Sequence, residues 1–331
     1  MVIEKKQLEE LVNKILVTKY SAEDARRILE VILFAELSGK KSHGLVRFLS
    51  GNTSVMAQNP TGKPEVIRKT KLSALVHGKG NPGMLVGSLA MEEVIRIAIE
   101  HDFGIVGTRE TFSTSGCLSY YLEKIGKENL IGIIMAESGP STPPHGGTEP
   151  LFGTNPVGFV FPTQNEPLIF DMGTSAISFG EILKAHALGI KLPENSATDK
   201  NGSITTDPKE ALEGATLPFD NSYKGAGLAM MVEILGGVLP GAGFTGINES
   251  TDGWGNIFLA FSPNLLSEIE TFKRKTSQLR DRVRNSRTKD AETVRIPGEK
   301  TVETRNKNLS SGIIDVDEKL IIELKGYVSK I

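Results

Sequence analysis

The chain has 331 residues, of which 39% are hydrophobic and 24% are charged, ordinary values for a globular protein, and its formal net charge at pH 7 is −2. That charge gives no electrostatic case for binding nucleic acid or an anionic membrane surface. The N-terminal residues lack the apolar core of a signal peptide, no apolar run reaches the ~18 residues of a spanning helix, and the single Cys117 excludes an intrachain disulfide and a thiolate metal cluster. We therefore expect a cytoplasmic protein without a metal site.

The first part of the chain predicts two helices and a loop. Residues 5–17 form an amphipathic pattern whose apolar side chains share one face. Ser21 with Asp24 is typical of a helix start and predicts a second helix that runs to about Gly39. Residues 50–64 are rich in proline and glycine and predict a loop.

From about residue 65 the pattern changes to alternating strands and helices, which predicts an α/β architecture with a covered central sheet. The polar stretch 285–310 predicts irregular chain. The predicted elements are strands at 73–77, 104–107, 131–135, 157–161, 168–170 and 256–261, and helices at 84–100, 118–125, 225–239, 265–284 and 316–330. We expect an N-terminal helical segment at 1–60, an α/β core that binds cofactor and substrate at 61–262, and a C-terminal helical segment at 263–331 that packs with the N-terminal one.

The segment from Ser42 to Arg47, SHGLVR, combines an acid–base group with a carboxylate-binding group. His43 can protonate a carbonyl oxygen near neutral pH, and Arg47 can hold a carboxylate with two hydrogen bonds. On a helix, residues four apart share a face. The pair suits reduction of a small 2-oxo acid if a hydride donor lies opposite. The alternative is that Gly44 breaks the helix, His43 is structural and Arg47 is a surface residue.

A literal G-x-G-x-x-G pattern at residues 78–83 is weak evidence for a Rossmann dinucleotide site. Such a site also requires an acidic residue about 20 positions later, at the end of the next strand. Asp102 precedes that strand, and Glu110 lies nearer thirty residues away. The favoured interpretation is a loop that opens a helix.

Two later segments are better candidates for binding an anion. The run from Gly173 to Ser175 follows a predicted strand, so its backbone N–H groups and hydroxyls are available to an anion or a ribose. Lys224 begins a predicted helix, where the helix dipole disfavours a cation unless an anion lies between them. An ordinary polar turn and an exposed lysine are the alternatives.

With these segments the chain resembles the type 2 malate/L-lactate dehydrogenase family, which includes sulfolactate and ureidoglycolate dehydrogenases, diketogulonate reductase and cyclic imino-acid reductases. The resemblance covers essentially the whole length in the right order. The matching stretches are SHGLVR at 42–47, IGIIMAES at 131–138, HGG at 145–147, GTNPVGFVFP at 153–162, FDMGTS at 170–175, YKGAGLAMMVEILGGVLPGA at 223–242 and RIPGE at 295–299.

The resemblance implies a non-Rossmann fold, with a mixed central sheet, flanking helices and a helical subdomain built from both chain ends. It also implies a homodimer with active sites near the subunit interface. It places Ser42, His43 and Arg47 at the substrate end. The nicotinamide cofactor contacts that it implies are Ser138, Asp171, Met172, Gly173, Lys224, Gly298, Glu299 and Lys300.

The chain departs from the family pattern in the stretch before SHG, where Glu36–Gly39 lacks the usual arginine, and at one position of the predicted site. The family usually carries a histidine just before the glycine of a helix-opening loop, and in some members that histidine is the proton acceptor. Here Thr114, or Thr111, stands in its place. A threonine hydroxyl forms hydrogen bonds but does not titrate near neutral pH.

These observations predict an NAD(P)-dependent oxidoreductase that transfers a hydride between the cofactor and a small 2-hydroxy or 2-oxo acid, with His43 as proton donor and Arg47 as carboxylate clamp. One alternative is a ureidoglycolate-type dehydrogenase or a cyclic imino-acid reductase. Another, favoured by Thr114, is a protein that binds the cofactor without turnover. The segment 115–120 looks closest to the ureidoglycolate branch, which favours NAD over NADP. The pattern does not identify the acid or imine.

Overall fold

The computed structural model describes residues 1–49, 51–244, 253–289 and 293–331. Its strands are, in chain order, β1 (Val2–Glu4), β2 (Glu65–Thr70), β3 (Ser73–His77), β4 (Phe103–Thr111), β5 (Ile131–Ala136), β6 (Val157–Phe161), β7 (Leu168–Met172), β8 (Ala197–Thr198), β9 (Ile204–Thr205), β10 (Ala215–Thr216), β11 (Trp254–Phe261) and β12 (Ile313–Asp315). Its α-helices are α1 (Lys5–Leu16), α2 (Ala22–Leu37), α3 (Gly83–His101), α4 (Leu118–Lys127), α5 (Phe179–Leu188), α6 (Pro208–Glu213), α7 (Tyr223–Glu233), α8 (Ile269–Arg284), α9 (Glu299–Ser311) and α10 (Glu318–Val328).

A seven-stranded sheet forms the centre of the molecule, in the order β2-β3-β4-β11-β5-β6-β7. β3 and β4 are parallel, and every other neighbouring pair in this sheet is antiparallel. The predicted mixed central sheet is therefore confirmed. A smaller sheet in the order β10-β8-β9 lies beside α5 and α6, in a stretch without predicted elements.

Helical segments cover both faces of the central sheet. Gly104 and Gly107 of β4 are an odd number of residues apart, so they point to opposite faces. A Cβ atom at Gly104 would meet Val94 and Ile97 of α3, whereas one at Gly107 would meet Pro240, which follows α7 and a turn of π-helix. The sheet is thus covered on both faces at the central strand β4, whereas the edge strand β2 is largely exposed.

The two chain ends meet in a helical subdomain. β1 pairs with β12, and α1 packs against both α2 and α10. Ser21 caps α2 by accepting a hydrogen bond from the Asp24 amide at 3.2 Å, as its sequence position predicts. The buried apolar residues of these helices join those of α3 and α4 in one core.

The prediction of irregular chain over 285–310 is wrong in its second half, because α9 occupies Glu299–Ser311. Only Arg305 is buried on this helix, so the helix lacks the apolar periodicity that would reveal it. Residues 290–292 of the same stretch lie outside the described residues. The helix predicted from 265 begins instead at Ile269, after a short 3₁₀ turn. None of the helices in the described ranges has the length and apolarity needed to cross a membrane.

Candidate active site

Three cavities adjoin one another, and each has a volume typical of a small-molecule site. The inner cavity, of about 370 Å³, has Arg47 and Thr114 in its wall. The middle cavity, of about 430 Å³, has Met172 in its wall. The outer cavity, of about 640 Å³, is bounded by the loop before α9.

Shared residues connect these cavities in a row. His43 borders both the inner and the middle cavity. Lys40 and Asp171 border both the middle and the outer cavity. A ligand with two ends joined by a linker can therefore extend from His43 past Lys40 into the outer cavity.

His43 and Arg47 do not share an α-helix face, contrary to the prediction. They lie on two separate 3₁₀ turns, Lys41–His43 and Leu45–Arg47, with Gly44 between them. A Cβ atom at Gly44 would collide with the carboxylate of Glu36, so any side chain at this position would displace Glu36. The two turns still bring both side chains to the inner cavity, and the Nε of Arg47 donates to the Ser42 carbonyl at 3.0 Å.

The imidazole of His43 is held in its neutral form. Burial lowers the pKa of His43 to about 4, the nearby cations Lys40 and Arg47 act in the same direction, and Asp171 and Glu181 oppose them. Its Nδ1 lies 2.9 Å from the Ser42 Oγ. At neutral pH the ring can therefore accept a proton from a hydroxyl group, and it must first gain a proton before it can donate one.

A buried carboxyl group, that of Glu36, hydrogen bonds to the backbone of the segment that carries His43 and Arg47. Glu36 accepts a hydrogen bond from the Leu45 amide at 2.8 Å, and burial raises the pKa of Glu36 to about 7. This contact fixes the start of the second 3₁₀ turn, which carries Arg47. Glu36 is therefore part of what orients the carboxylate-binding group.

Arg47 provides the positive charge of the inner cavity. Burial lowers the pKa of Arg47, but a guanidinium remains charged at any physiological pH. Among the described residues that border this cavity, no other arginine or lysine is present. The cavity is thus arranged for a ligand with a carboxylate at one end.

Thr114, a candidate site residue of the sequence analysis, borders the inner cavity, and its Oγ1 accepts a hydrogen bond from the Gly116 amide at 3.0 Å. The hydroxyl thereby stabilises the loop that leads into α4. Cys117, at the end of this loop, is buried, and burial raises the pKa of its thiol.

Asp171 is the centre of a polar cluster between the middle and outer cavities. Its Oδ2 accepts hydrogen bonds from Lys40 Nζ at 2.8 Å and from Ser119 Oγ at 2.6 Å. Burial opposes ionisation, but the Lys40 ammonium and these hydrogen bonds hold the pKa of Asp171 below its usual value. The sequence marks Asp171 as a candidate but gives no signal for Lys40, which lies 131 residues away along the chain.

Most of the other predicted cofactor contacts also border the row of cavities. Ser138 lies at the inner cavity, Met172 and Gly173 lie at the middle one, and Gly298 and Glu299 lie at the outer one. Gly298 has φ +79°, and a Cβ atom there would approach the Ile169 carbonyl oxygen to 2.6 Å, so the turn requires glycine. In contrast, Lys224 and Lys300 are exposed and border none of the three cavities.

A pair of buried carboxyl groups, of which Glu137 borders the inner cavity, is not marked by the sequence. Glu137 and Glu233 are 4% and 3% exposed and hydrogen bond to each other. Burial and the Glu233 charge raise the pKa of Glu137 to about 9, so the pair holds a proton at neutral pH. Glu137 accepts from the Gly255 amide at 2.7 Å, and Glu233 accepts from Asn155 Nδ2 at 2.6 Å.

The G-x-G-x-x-G segment forms the turn between β3 and α3. The Gly78 amide donates to the Arg109 carbonyl oxygen at 2.9 Å, and the Lys79 amide donates to Glu110 at 3.3 Å. None of its residues borders the three cavities. These contacts agree with the interpretation of a loop that opens a helix.

Comparison with known proteins gives consistent matches over nearly the full chain. The model of the family described as malate/L-lactate dehydrogenase matches residues 3–325. L-sulfolactate dehydrogenase of Methanocaldococcus jannaschii is 36% identical over 310 residues, which cover 92% of this chain and 89% of that protein. Ureidoglycolate dehydrogenase (NAD(+)) of Escherichia coli is 32% identical over 289 residues, which cover 84% of this chain and 82% of that protein. The crystal structure of malate dehydrogenase from Entamoeba histolytica has a TM-score of 0.92 at 26% identity and covers 99% of this chain and 97% of that one.

Proposed function

The chain belongs to the malate/L-lactate dehydrogenase family, as its motifs predict, and from this membership we propose that it interconverts a small 2-hydroxy acid and the corresponding 2-oxo acid with a nicotinamide dinucleotide. The observation that carries the proposal is the position of His43, which borders both the cavity with Arg47 and the cavity with Asp171 and Gly173. A proton-transfer group between a carboxylate site and a cofactor site is what this reaction requires.

The row of cavities fits a dinucleotide. The middle and outer cavities are joined at Lys40 and Asp171, so two nucleoside halves have separate spaces with a charged contact between them. Gly298 is held at positive φ against Ile169, so this position of the turn before α9 presents backbone without a side chain at the outer cavity. When bound, the nicotinamide supplies the hydride acceptor or donor.

The residues of this chain supply binding and proton transfer. Arg47 holds the substrate carboxylate, and this fixes the carbon to be oxidised relative to the middle cavity. The neutral His43 accepts the hydroxyl proton in the oxidation direction, and the protonated ring returns it in reduction. The pKa of His43 is low in the free protein. The negative charge of a bound substrate carboxylate favours the protonated ring, so substrate binding raises this pKa and assists reduction.

For the cofactor we favour NAD over NADP. The charged residues that border the outer cavity are balanced, with five cations and five carboxylates: Lys40, Arg280, Arg284, Arg295 and Arg305, and Glu123, Glu166, Asp171, Glu299 and Glu303. An arginine near the ribose would accommodate a 2′-phosphate, and two arginines of the described wall are already paired with carboxylates, Arg284 with Glu299 and Arg305 with Glu123. We also propose a cytoplasmic homodimer.

The direct test is a panel of 2-oxo acids and cyclic imines, including the oxo forms of malate, sulfolactate and ureidoglycolate, assayed by the loss of NADH or NADPH absorbance. We expect turnover of at least one acid with NADH, and a loss of at least ~10²-fold in His43→Ala, the lower range of general acid–base assistance. His145→Ala, which changes an exposed histidine outside the three cavities, is the control.

The second candidate function is cofactor binding without turnover, and it is favoured by Thr114, whose hydroxyl does not titrate. Protein that binds NADH but converts no acid or imine would support this second function. Conversion of imines alone would point to an imino-acid reductase. Failure to bind either dinucleotide would contradict both candidates.

A further inference from the structure

A lysine without a predicted role stands where the middle and outer cavities meet. The Nζ of Lys40 donates to Asp171 Oδ2 at 2.8 Å and to Ser119 Oγ at 2.9 Å, and its side chain is 26% exposed. Lys40 directly precedes the 3₁₀ turn that carries His43. Its ammonium is therefore fixed by two partners at the boundary that a long ligand must pass.

The hydrogen bonds of Lys40 leave one donor for a ligand. An ammonium group has three N–H donors. Asp171 and Ser119 accept two of them within the described chain, and the buried thiol of Cys117 lies close to the ammonium. A thiol is a weak acceptor. Exchange of this sulfur for a charged oxygen of a ligand would strengthen the contact.

We propose that Lys40 binds the pyrophosphate of the dinucleotide where it passes from the middle to the outer cavity. This inference rests on the proposed function. If the nicotinamide lies near His43 and the adenosine lies in the outer cavity, the group between them is the pyrophosphate. Among the described residues, Lys40 is the cation that borders both cavities.

The roles of Asp171 and Ser119 follow from the same geometry. A flexible lysine loses considerable side-chain entropy when a ligand fixes it. Here Asp171 and Ser119 hold the ammonium in place before the ligand arrives, so little of that entropy is lost on binding. Lys40 also stands between the carboxylate of Asp171 and the proposed phosphates, which reduces their repulsion.

The test is calorimetric titration of the full-length protein and its variants with NADH, ADP-ribose and adenosine. Lys40→Gln keeps a neutral donor toward Asp171 but removes the charge. We expect the affinity for NADH and for ADP-ribose to fall by about 10- to 100-fold, the range for a charge-assisted hydrogen bond, and the affinity for adenosine to stay the same. Lys41→Gln, which changes the adjacent lysine that pairs with Asp315 outside the cavities, should leave all three affinities unchanged.

Each outcome is decisive. Equal affinity of the natural protein and Lys40→Gln for NADH would overturn the inference and leave the proposed function intact. A natural protein that does not bind NADH would defeat the proposed function itself. Equal weakening of adenosine would show a structural role in place of a phosphate contact. If Lys40→Gln does not fold, Lys40→Arg should bind NADH within about threefold of the natural protein, and a loss above tenfold would overturn the inference.

Discussion

The low pKa of His43 means that in the free protein its ring is ready to accept a proton and not to donate one. Oxidation of a hydroxy acid requires the neutral ring, and with a pKa of about 4 the ring is neutral at any pH well above that value. We expect kcat/KM for oxidation to stay level from neutral pH down to about 5 and to fall below it, since this parameter reports the free enzyme. An inflection near 6.5, the ordinary histidine value, would contradict the proposed environment.

Arg47 should act on the acid substrate and not on the cofactor. Arg47→Met removes the carboxylate contact and should cost on the order of 1.5–3 kcal/mol of substrate binding, measured through KM or an oxo-acid dissociation constant. NADH affinity should not change. Arg282→Met on the exposed side of α8 is the matched control. Equal loss of NADH and acid affinity would instead indicate a folding defect.

Thr114 tests whether the family histidine is needed. If His43 alone transfers the proton, Thr114→His should change kcat by less than about tenfold, because the new ring adds no required step. Thr114→Val removes the hydrogen bond to the Gly116 amide without adding a base, and it measures the cost of disturbing the loop. A large gain in turnover with Thr114→His, and not with Thr114→Val, would show that the natural protein lacks a needed group.

At the scale of elements, Glu137, which directly follows β5, shares a proton with Glu233 at the end of α7, and this contact links the two elements. The folded pKa of Glu137, about 9, is above its unfolded value. Between pH ~4.5 and 9 the unfolded chain therefore binds fewer protons than the folded one, so stability falls as pH rises through this window.

Glu137→Gln should reduce this loss of stability. The amide can still accept from Gly255 and donate to Glu233, but it has no proton to lose. We expect the melting temperature of the natural protein to fall more between pH 6 and 9 than that of Glu137→Gln. Glu128→Gln, which changes an exposed carboxylate after α4, should behave like the natural protein. Identical pH dependence in all three proteins would argue against a shared proton.

Elements were predictable where local signals determine them. The apolar faces of α1 and α3 and the Ser21 cap of α2 are readable because each depends on residues within a few positions. α9 was not readable, because its packing depends on Arg305 pairing with Glu123 of another helix. The break at Gly44 likewise depends on the buried Glu36, whose position follows from the folded state alone.

The candidate site divides along the same line. His43, Arg47, Asp171 and Gly298 stand in motifs, and the structure places all four at the connected cavities. Lys40 and the Glu137–Glu233 pair have no motif. Lys40 contacts Asp171, which is 131 positions away along the chain, and Glu137 contacts Glu233, which is 96 positions away. No local sequence pattern predicts contacts over such separations.

At the scale of the whole molecule, α7 and the π-helical turn after it expose an apolar surface. Contiguous apolar patches of this kind mark interaction sites on soluble proteins. Its members, each at least 39% exposed, are Tyr223, Met230, Met231, Ile234, Val238 and Leu239. Lys224 begins the same helix and borders none of the cavities of its own chain. Both facts are accounted for if this surface packs against a second copy.

We therefore expect a dimer of twice 35.8 kDa that depends on this surface. Leu239→Glu places a charge on it and should yield monomers in sedimentation equilibrium. Leu266→Glu is the control, since Leu266 is 97% exposed and lies outside the surface. If Lys224 contacts the cofactor of a partner copy, Leu239→Glu and Lys224→Ala should both weaken NADH binding, and the two effects should not add. If the natural protein is monomeric yet binds NADH, cofactor binding does not require a dimer. Lys224 would then be an ordinary exposed lysine.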